Sequence, residues 1–338
     1  MLSVIIPTRN RAKLLEQALG SLVGQTLSRE EFEVVVVDNG STDDTRAVVE
    51  RKHATLENLR YEHEPKPGLH AGRHRGLRAA RGEILTFADD DIEALPSWLA
   101  SIVEAFADPQ VAMVGGNNLP LFVEPPPRWL SRLWERPTAD GGRAVPPLSI
   151  LELPGWIRPF SPMRVWGCNF SVRRQVLLDA GGFHPDGMPA ELIRFRGDGE
   201  THVSRHVAAS GLTCLFHPGA SVYHKVTPER MTFAYFRQRG YNQGISDSYA
   251  SLRAPSPGKG GGPGRRLLRR AASWATQRVI EPLALTGPRR AMRELKEGHR
   301  EGHAFHQRAY RDDAELRAWV HRPDYFDEEE DNARNHRT

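Results

Sequence analysis

Strand-like and helix-like segments alternate four times in the N-terminal part of the chain, and this alternation constrains the fold more than any other feature of the sequence. The strand-like segments are residues 2–7, 34–37, 59–63 and 84–88. They read as apolar runs rather than as an alternation of apolar and polar residues, which is typical of strands buried on both faces of a sheet. The sequence therefore predicts an α/β fold, with a mostly parallel sheet and helices on both of its faces.

Three consecutive aspartates, Asp89, Asp90 and Asp91, directly follow the fourth strand-like segment. Like charges crowded at a strand end repel one another, and a divalent cation held by carboxylate oxygens relieves that repulsion. Mg²⁺ and Mn²⁺ prefer oxygen ligands, and Mg²⁺ is typically bound through one or two carboxylates together with substrate phosphates. For an isolated triplet the alternative is a solvated acidic turn that caps the following helix.

Two earlier strands also end in polar residues, Thr8 and Asp38. In a parallel α/β sheet, ligands bind beyond the carboxyl ends of the strands. We therefore expect one cleft to gather Thr8, Asp38 and Asp89.

Three segments resemble the family 2 glycosyltransferases in order and in spacing. They are Val-Ile-Ile-Pro-Thr-Arg-Asn at residues 4–10, Val-Val-Asp-Asn-Gly-Ser-Thr-Asp at 36–43, and Ala-Ala-Arg-Gly-Glu-Ile running into Phe-Ala-Asp-Asp-Asp at 79–91. The resemblance covers roughly residues 1–224 and fits the C-terminal third poorly. It implies a GT-A fold and inverting transfer of a sugar from a nucleotide diphosphate sugar to a hydroxyl acceptor. A UDP-sugar is favoured over a GDP-sugar, and Mg²⁺ or Mn²⁺ is the implied cofactor.

The resemblance also implies which residues bind the donor. Thr8 and Asn10 match the segment that lies against the nucleotide, and Asp38 matches the aspartate that contacts the base. Arg73 matches an arginine that approaches the diphosphate, where a guanidinium can bind bidentately. His74 stands where the family more often has asparagine.

The same resemblance assigns the metal ligands. Asp89 and Asp91 form the Asp-X-Asp pair, with Asp91 as the direct ligand, and Asp90 contacts the ribose or the sugar. His224 follows Val222 and Tyr223 in a strand-like segment, where the family carries a histidine that contacts metal or diphosphate.

A second acidic cluster, Asp198-Gly199-Glu200, precedes a helical pattern. Simple helix capping would explain such acidic residues. In family 2 an adjacent Glu-Asp pair occupies this place and one carboxylate is the general base, so the resemblance makes Asp198 and Glu200 candidate bases. The intervening glycine leaves the choice between them open.

Composition agrees with a globular enzyme. The net charge is only +4 and the basic residues are mixed with acidic ones, so we expect no nucleic-acid partner. Two cysteines make no disulfide framework, and no stretch of 18 apolar residues is present. The first strand begins at residue 2, so we expect no signal peptide and a cytoplasmic protein.

The chain divides by composition into four parts. Residues 1–250 are expected to form the catalytic domain, with an acceptor region at about 119–250, and residues 251–264 form a Gly/Pro linker. Residues 265–326 form a helical appendage, and residues 327–338 an acidic, disordered tail. The basic helix predicted at 265–280 would dock on the protein, pair two subunits, or lie on the inner face of a membrane.

Two other function classes fit parts of this pattern. A sugar nucleotidyltransferase also uses aspartates and Mg²⁺, but it would need a glycine-rich phosphate loop after the first strand, where this chain has Pro-Thr-Arg-Asn. A non-catalytic nucleotide-sugar-binding module would not need the Asp198/Glu200 cluster.

Overall fold

A computed structural model describes residues 1–254 and 287–326 of the chain. The predicted basic helix at 265–280, most of the predicted linker and the acidic tail lie outside the described residues.

The strands in chain order are β1 (Leu2–Thr8), β2 (Phe32–Asp38), β3 (Leu59–His63), β4 (Ile84–Ala88), β5 (Ile92–Ala94), β6 (Val111–Gly115), β7 (Asn118–Phe122), β8 (Arg143–Val145), β9 (Ile150–Glu152), β10 (Arg158–Pro159), β11 (Asn169–Arg173), β12 (Thr213–Phe216) and β13 (Val222–Val226). The α-helices are α1 (Ala12–Val23), α2 (Thr45–His53), α3 (Leu69–Ala79), α4 (Trp98–Ala105), α5 (Arg128–Trp134), α6 (Arg174–Asp179), α7 (Glu200–Ala209), α8 (Phe233–Arg253), α9 (Gly287–Asp312) and α10 (Ala314–Val320).

The larger sheet has eight strands in the order β10-β12-β6-β11-β4-β1-β2-β3. Strand β1 pairs in parallel with β2 and β4, and β2 pairs in parallel with β3. Strand β11 runs antiparallel between β4 and β6. The prediction of a mostly parallel α/β sheet is therefore confirmed.

Alternate residues of β1 enter two separate hydrophobic cores. Val4 and Ile6 pack with Leu15 of α1, whereas Ile5 packs with Leu77 of α3 on the opposite face. Burial on both sides explains why β1 and β2 are fully buried along their length. It also confirms that helices cover both faces of the sheet.

Strand β3 departs from the predicted pattern of continuous apolar residues. It lies at the edge of the sheet, next to β2 only, and only Leu59 in it is fully buried. Its polar residues Arg60, Glu62 and His63 suit an edge position, where one side of the strand has no neighbour.

A second, five-stranded sheet in the order β5-β13-β7-β9-β8 was not predicted. Strand β13 lies between β5 and β7. It continues to Val226, so His224 lies in the middle of this strand and not at its end, as the sequence had suggested.

Helices α8 and α9 pack with their backbones in close contact. A Cβ atom added to Gly244 would lie 2.1 Å from the carbonyl oxygen of His299, and one added to Gly298 would lie 2.0 Å from that of Arg237. Glycine is needed at both positions because no larger residue fits that approach. Within the described residues, no helix combines the length and the apolar character needed to cross a bilayer.

Candidate active site

The carboxyl ends of β1, β2 and β4 meet at one edge of the large sheet. Thr8 lies opposite Asp38 in the β1–β2 register, and Asp89 directly follows the last residue of β4. The structure therefore brings these three predicted residues to the same edge.

Asp90 points back toward the loop after β1. The Thr8 hydroxyl donates to Asp90 Oδ2 at 2.7 Å, and the Arg11 guanidinium contacts the other carboxylate oxygen. Burial raises the pKa of Asp90 to about 7, although the charge of Arg11 favours the ionised form. Asp90 thus fixes the β1 loop against the acidic triplet.

Asp91 lies among three cationic or basic side chains. Its Oδ1 is 3.3 Å from Nε2 of His224, and its Oδ2 is 3.0 Å from Arg11 and 3.3 Å from Arg230. Burial opposes ionisation of Asp91, but His224 and the two guanidinium groups outweigh it and hold its pKa well below the ordinary value. This carboxylate is therefore negatively charged at neutral pH.

Asp89, Cys168 and His224 each offer one ligand atom, and these atoms lie within 4.8 Å of one another. Burial, followed by the charge of Asp91, raises the pKa of Asp89. Two buried atoms at this place, Nδ1 of His224 and Oδ1 of Asp91, make no hydrogen bond within the described part of the chain. The carboxylate and imidazole atoms of this set suit a divalent cation. Burial raises the pKa of the Cys168 thiol, which keeps it protonated and a poor ligand for Mg²⁺ or Mn²⁺.

The predicted nucleotide residues Asp38 and Asn10 make contacts within the chain. Asp38 is buried and accepts hydrogen bonds from the Tyr61 hydroxyl at 2.8 Å and from the Ser41 N–H at 2.7 Å. Asn10 has a φ of 54° and its side-chain oxygen accepts from the Thr42 N–H at 2.7 Å. Asn10 therefore ties the loop after β1 to the loop after β2.

Arg73 connects the acidic triplet to Glu200. It is 2% exposed, its Nη1 donates to Glu200 Oε2 at 3.1 Å, and its guanidinium lies 5.0 Å from the Phe183 ring centre. Burial lowers the pKa of Arg73, but the charges of Glu200 and Asp89 outweigh burial and raise it overall. The two acidic clusters therefore belong to one electrostatically connected site.

Gly167 allows this arrangement. Its N–H donates to Glu200 Oε1 at 3.2 Å, and a Cβ atom there would lie 2.2 Å from Arg73 Nη2. A side chain at this position would push Arg73 away from Glu200.

The two candidate bases point into different environments. Gly199, between them, has a φ of 54°, a conformation that favours glycine, and Glu200 is the first residue of α7. Asp198 is buried, with His184 Nδ1 2.6 Å from its Oδ1 and Arg205 bonded to its Oδ2. Protein groups thus bond to both oxygens of each carboxylate, but Glu200 lines a cavity that Asp198 does not line.

That cavity has a volume of about 910 Å³. Its walls include Glu200 and Arg205 from α7, Trp166, and residues from the facing surfaces of α8 and α9. None of the strand-edge residues Thr8, Asp38, Asp89, Asp90 and Asp91 lines it. Glu200 therefore lies between the acidic strand edge on one side and a roomy cavity on the other.

Sequence reasoning missed three residues of the site. Arg11 and Arg230 contact Asp91, and Cys168 lies beside Asp89 and His224. From the sequence, Arg11 is the start of a predicted helix and Cys168 a buried thiol. Arg230 is one of several arginines that could neutralise a leaving diphosphate or form a solvated helix face, with no contact to Asp91 implied.

Comparison with known proteins identifies the family. Residues 3–175 match the family described as Glycosyl transferase family 2. Validoxylamine A glucosyltransferase of Streptomyces hygroscopicus is 42% identical over 116 residues, which is 34% of this chain and 27% of that protein. Glycosyltransferase AglE of Haloferax volcanii is 35% identical over 116 residues, covering 34% of this chain and 38% of AglE. The matched region is thus well under half of either relative's length.

Among solved structures, the fold is similar to that of the mannosyltransferase PcManGT from Pyrobaculum calidifontis, solved in complex with GDP-Man and Mn²⁺. The TM-score is 0.53 and the identity 23%, over 94% of this chain and 82% of that one. At this identity the likeness supports the fold, which is that of a GT-A glycosyltransferase.

Proposed function

The chain belongs to glycosyl transferase family 2, and from that premise we propose that it transfers a sugar from a nucleotide diphosphate sugar to a hydroxyl acceptor with inversion at the anomeric carbon. The observation that carries this proposal is Arg73, which lies within electrostatic reach of Asp89 and bonds to Glu200. A donor site at the strand edge and a base beside the cavity would form a single reaction centre.

The donor would bind at the carboxyl edge of β1, β2 and β4. Asp38 is proposed to contact the base, with UDP favoured and GDP as the second choice, while Thr8 and Asn10 shape the nucleotide loop. Asp89, Asp91 and His224 would hold Mg²⁺ or Mn²⁺, and the bound cation would stabilise the negative charge on the departing diphosphate. Arg73 and the guanidinium groups of Arg11 and Arg230 add positive charge at the same edge.

Glu200 is proposed as the general base. It lines the cavity, and the Gly167 N–H and Arg73 hold its two carboxylate oxygens in a fixed orientation. An acceptor hydroxyl in the cavity would lose its proton to Glu200 while its oxygen attacks the anomeric carbon. Asp198 does not line this cavity, and its two oxygens contact His184 and Arg205.

The donor side can be tested without knowing the acceptor. We expect UDP-glucose, UDP-GlcNAc or GDP-mannose to raise the melting temperature in the presence of Mn²⁺ and not in EDTA. Once an acceptor is found, NMR of the product should show the anomeric configuration opposite to that of the donor. Retention of the donor's configuration would overturn the proposal, and metal-dependent binding without any turnover would favour a binding module.

A further inference from the structure

The cavity beside Glu200 has an excess of unpaired positive charge. Arg239 on α8 and Lys296 and Arg300 on α9 all line it. Within residues 1–254 and 287–326, none of the three makes a side-chain hydrogen bond or an ion pair, although most other arginines near the site do. Arg239 lies within electrostatic reach of Asp186, and Lys296 and Arg300 are exposed at the cavity. Three cations that line one cavity without a hydrogen bond or ion pair of their own favour an anionic ligand.

Helical spacing places these cations on facing surfaces. Lys296 and Arg300 are four residues apart and therefore lie on the same side of α9. Arg239 lines the same cavity from α8, next to Gly240, where the backbones of the two helices are in close contact. The acidic residue of this wall, Asp247, is already engaged 2.8 Å from His299 Nε2. Asp247 keeps its own negative charge in that contact, so three cations and one carboxylate leave a net excess of two positive charges on this wall.

The positive charge continues beyond the cavity. Arg300 also lines a neighbouring groove of about 480 Å³, together with Arg308, Tyr241, Phe305 and Glu301, and Glu301 is ion-paired with Arg237. The other walls of the main cavity include apolar side chains, among them Leu133, Val145 and Leu295. A ligand with one compact anionic group and a less polar remainder would match this surface.

We propose that this cavity binds a phosphate group carried by the hydroxyl acceptor, with Arg239, Lys296 and Arg300 as the phosphate-binding residues. The inference rests on the proposed function, because it assigns the cavity beside Glu200 to the acceptor. A phosphate monoester carries nearly two negative charges at neutral pH and several acceptor oxygens, which suits three unpaired cations better than a single carboxylate does. The donor diphosphate does not explain these cations, because the strand-edge residues do not line the cavity.

The phosphate could be part of a soluble metabolite or of a lipid, and two probes separate these sources. Calorimetry in EDTA and without nucleotide compares glycerol 3-phosphate with glycerol. Cosedimentation compares phosphatidylcholine vesicles with and without phosphatidic acid. The variant R239Q/K296Q/R300Q removes the proposed binding residues. The variant R289Q/R293Q/R311Q removes the same charge from exposed positions of α9 that line neither cavity.

We expect the wild type and the R289Q/R293Q/R311Q control to bind a phosphate probe, and R239Q/K296Q/R300Q to bind it at least about tenfold more weakly, since each lost bond is charge-assisted. Binding of UDP with Mn²⁺ by the triple variant shows that the fold is intact. Binding of glycerol 3-phosphate supports a soluble acceptor, and binding of phosphatidic acid vesicles alone supports a lipid acceptor.

Equal losses in the two triple variants, or no binding of either phosphate probe by the wild type, would overturn the inference. The proposed function fails separately. If the wild type binds the phosphate probe but no nucleotide in the presence of metal, the phosphate site stands and the assignment of the donor site does not.

Discussion

At the scale of single residues, Asp91 carries the strongest prediction about the donor. Its carboxylate is held ionised by His224 and two guanidinium groups, and one of its oxygens makes no hydrogen bond within the described residues. We expect Asp91→Asn to lose at least about ten-fold in Mn²⁺-dependent UDP affinity, because an amide is a much poorer ligand for a hard cation. Calorimetry with and without EDTA measures this. Asp108→Asn, at an exposed turn, should bind UDP as the wild type does.

Asp198 and Glu200 should give opposite phenotypes when each is changed to its amide. Glu200→Gln should lower turnover by about 10²–10⁴-fold, because it removes the proton acceptor. Donor binding should change much less, because the amide oxygen can still accept a hydrogen bond from the buried Arg73 although the ion pair is lost. Asp198→Asn should instead lower the free energy of unfolding by about 1–3 kcal/mol, because it weakens a buried contact with Arg205 and His184. Kinetics and urea denaturation of both variants test the pair. If the Asp198→Asn variant is stable but has no turnover, and the Glu200→Gln variant is fully active, then Asp198 and not Glu200 is the general base.

Some residues of the site could be predicted from the sequence and others could not, for a physical reason. Asp89, Asp91 and Asp38 directly follow or end buried strands, so the parallel sheet itself implies that they meet. Arg230 contacts Asp91, and Cys168 lies beside Asp89, because of how the second sheet and β11 pack. No local pattern in the sequence predicts that packing. In the sequence, Gly199 leaves the choice between Asp198 and Glu200 as the base open. Only its positive φ in the structure shows how the chain turns so that the two carboxylates point into different environments.

At the scale of elements, the pairing of α8 with α9 depends on glycine. Gly244→Ala should lower the free energy of unfolding by about 1–3 kcal/mol, because the added methyl would lie 2.1 Å from a backbone oxygen of α9. This loss would occur despite the better helix propensity of alanine. Gly24→Ala is the matched control, since nothing lies within 4 Å of a Cβ there and its φ is −92°. Chemical denaturation measures the free energy of unfolding of both variants. A Gly244→Ala variant as stable as the wild type would show that the two helices can move apart at no cost in stability.

The second sheet shows where element prediction fails. Strands β8 and β9 have three residues each, which is too short for a period of two to be recognised. They lie in a proline-rich stretch of the sequence that shows no clear periodicity. Trp129 and Trp134 in that stretch pack into a core with Phe236 of α8. Trp129 and Trp134 thus have a structural role, which only tertiary contacts reveal.

At the scale of the whole molecule, buried neutral histidines should make stability depend on pH. Burial lowers the pKa of His70 to about 4 and that of His202 also to about 4. Because an unfolded histidine has a pKa near ~6.5, the unfolded chain takes up protons first as the pH falls. The stability that each neutral histidine contributes is therefore fully present above about pH 6.5. It is lost progressively as the pH falls toward about 4, by about 1.4 kcal/mol per pH unit for each histidine. His70→Gln should flatten the pH profile of the unfolding free energy in this window, whereas the exposed His53→Gln should not.

The C-terminal helices should be required for the structure of the active site and not only attached to it. Helix α9 packs along α8, contacts α5, and contributes Lys296, His299 and Arg300 to the cavity that Glu200 faces. A chain that ends after Ala254 would expose the glycine face of α8 and leave the cavity without one wall. We expect this truncation to lower the melting temperature by several degrees or to make the protein insoluble, because the close glycine packing of α9 on α8 and the burial of Leu316 and Val320 are lost.

A matched variant isolates the cause of that loss. Replacing residues 255–286 with a Gly/Ser linker of equal length keeps α9 and α10 and removes only the intervening segment. We expect this variant to melt near the wild-type temperature and to bind UDP with Mn²⁺ normally, because it retains the residues that join the strand edge through the Thr8–Asp90, Asp91–His224 and Asp91–Arg230 contacts. A truncated chain as stable as the linker variant would contradict the prediction, since α9 would then be dispensable for the fold that positions Glu200.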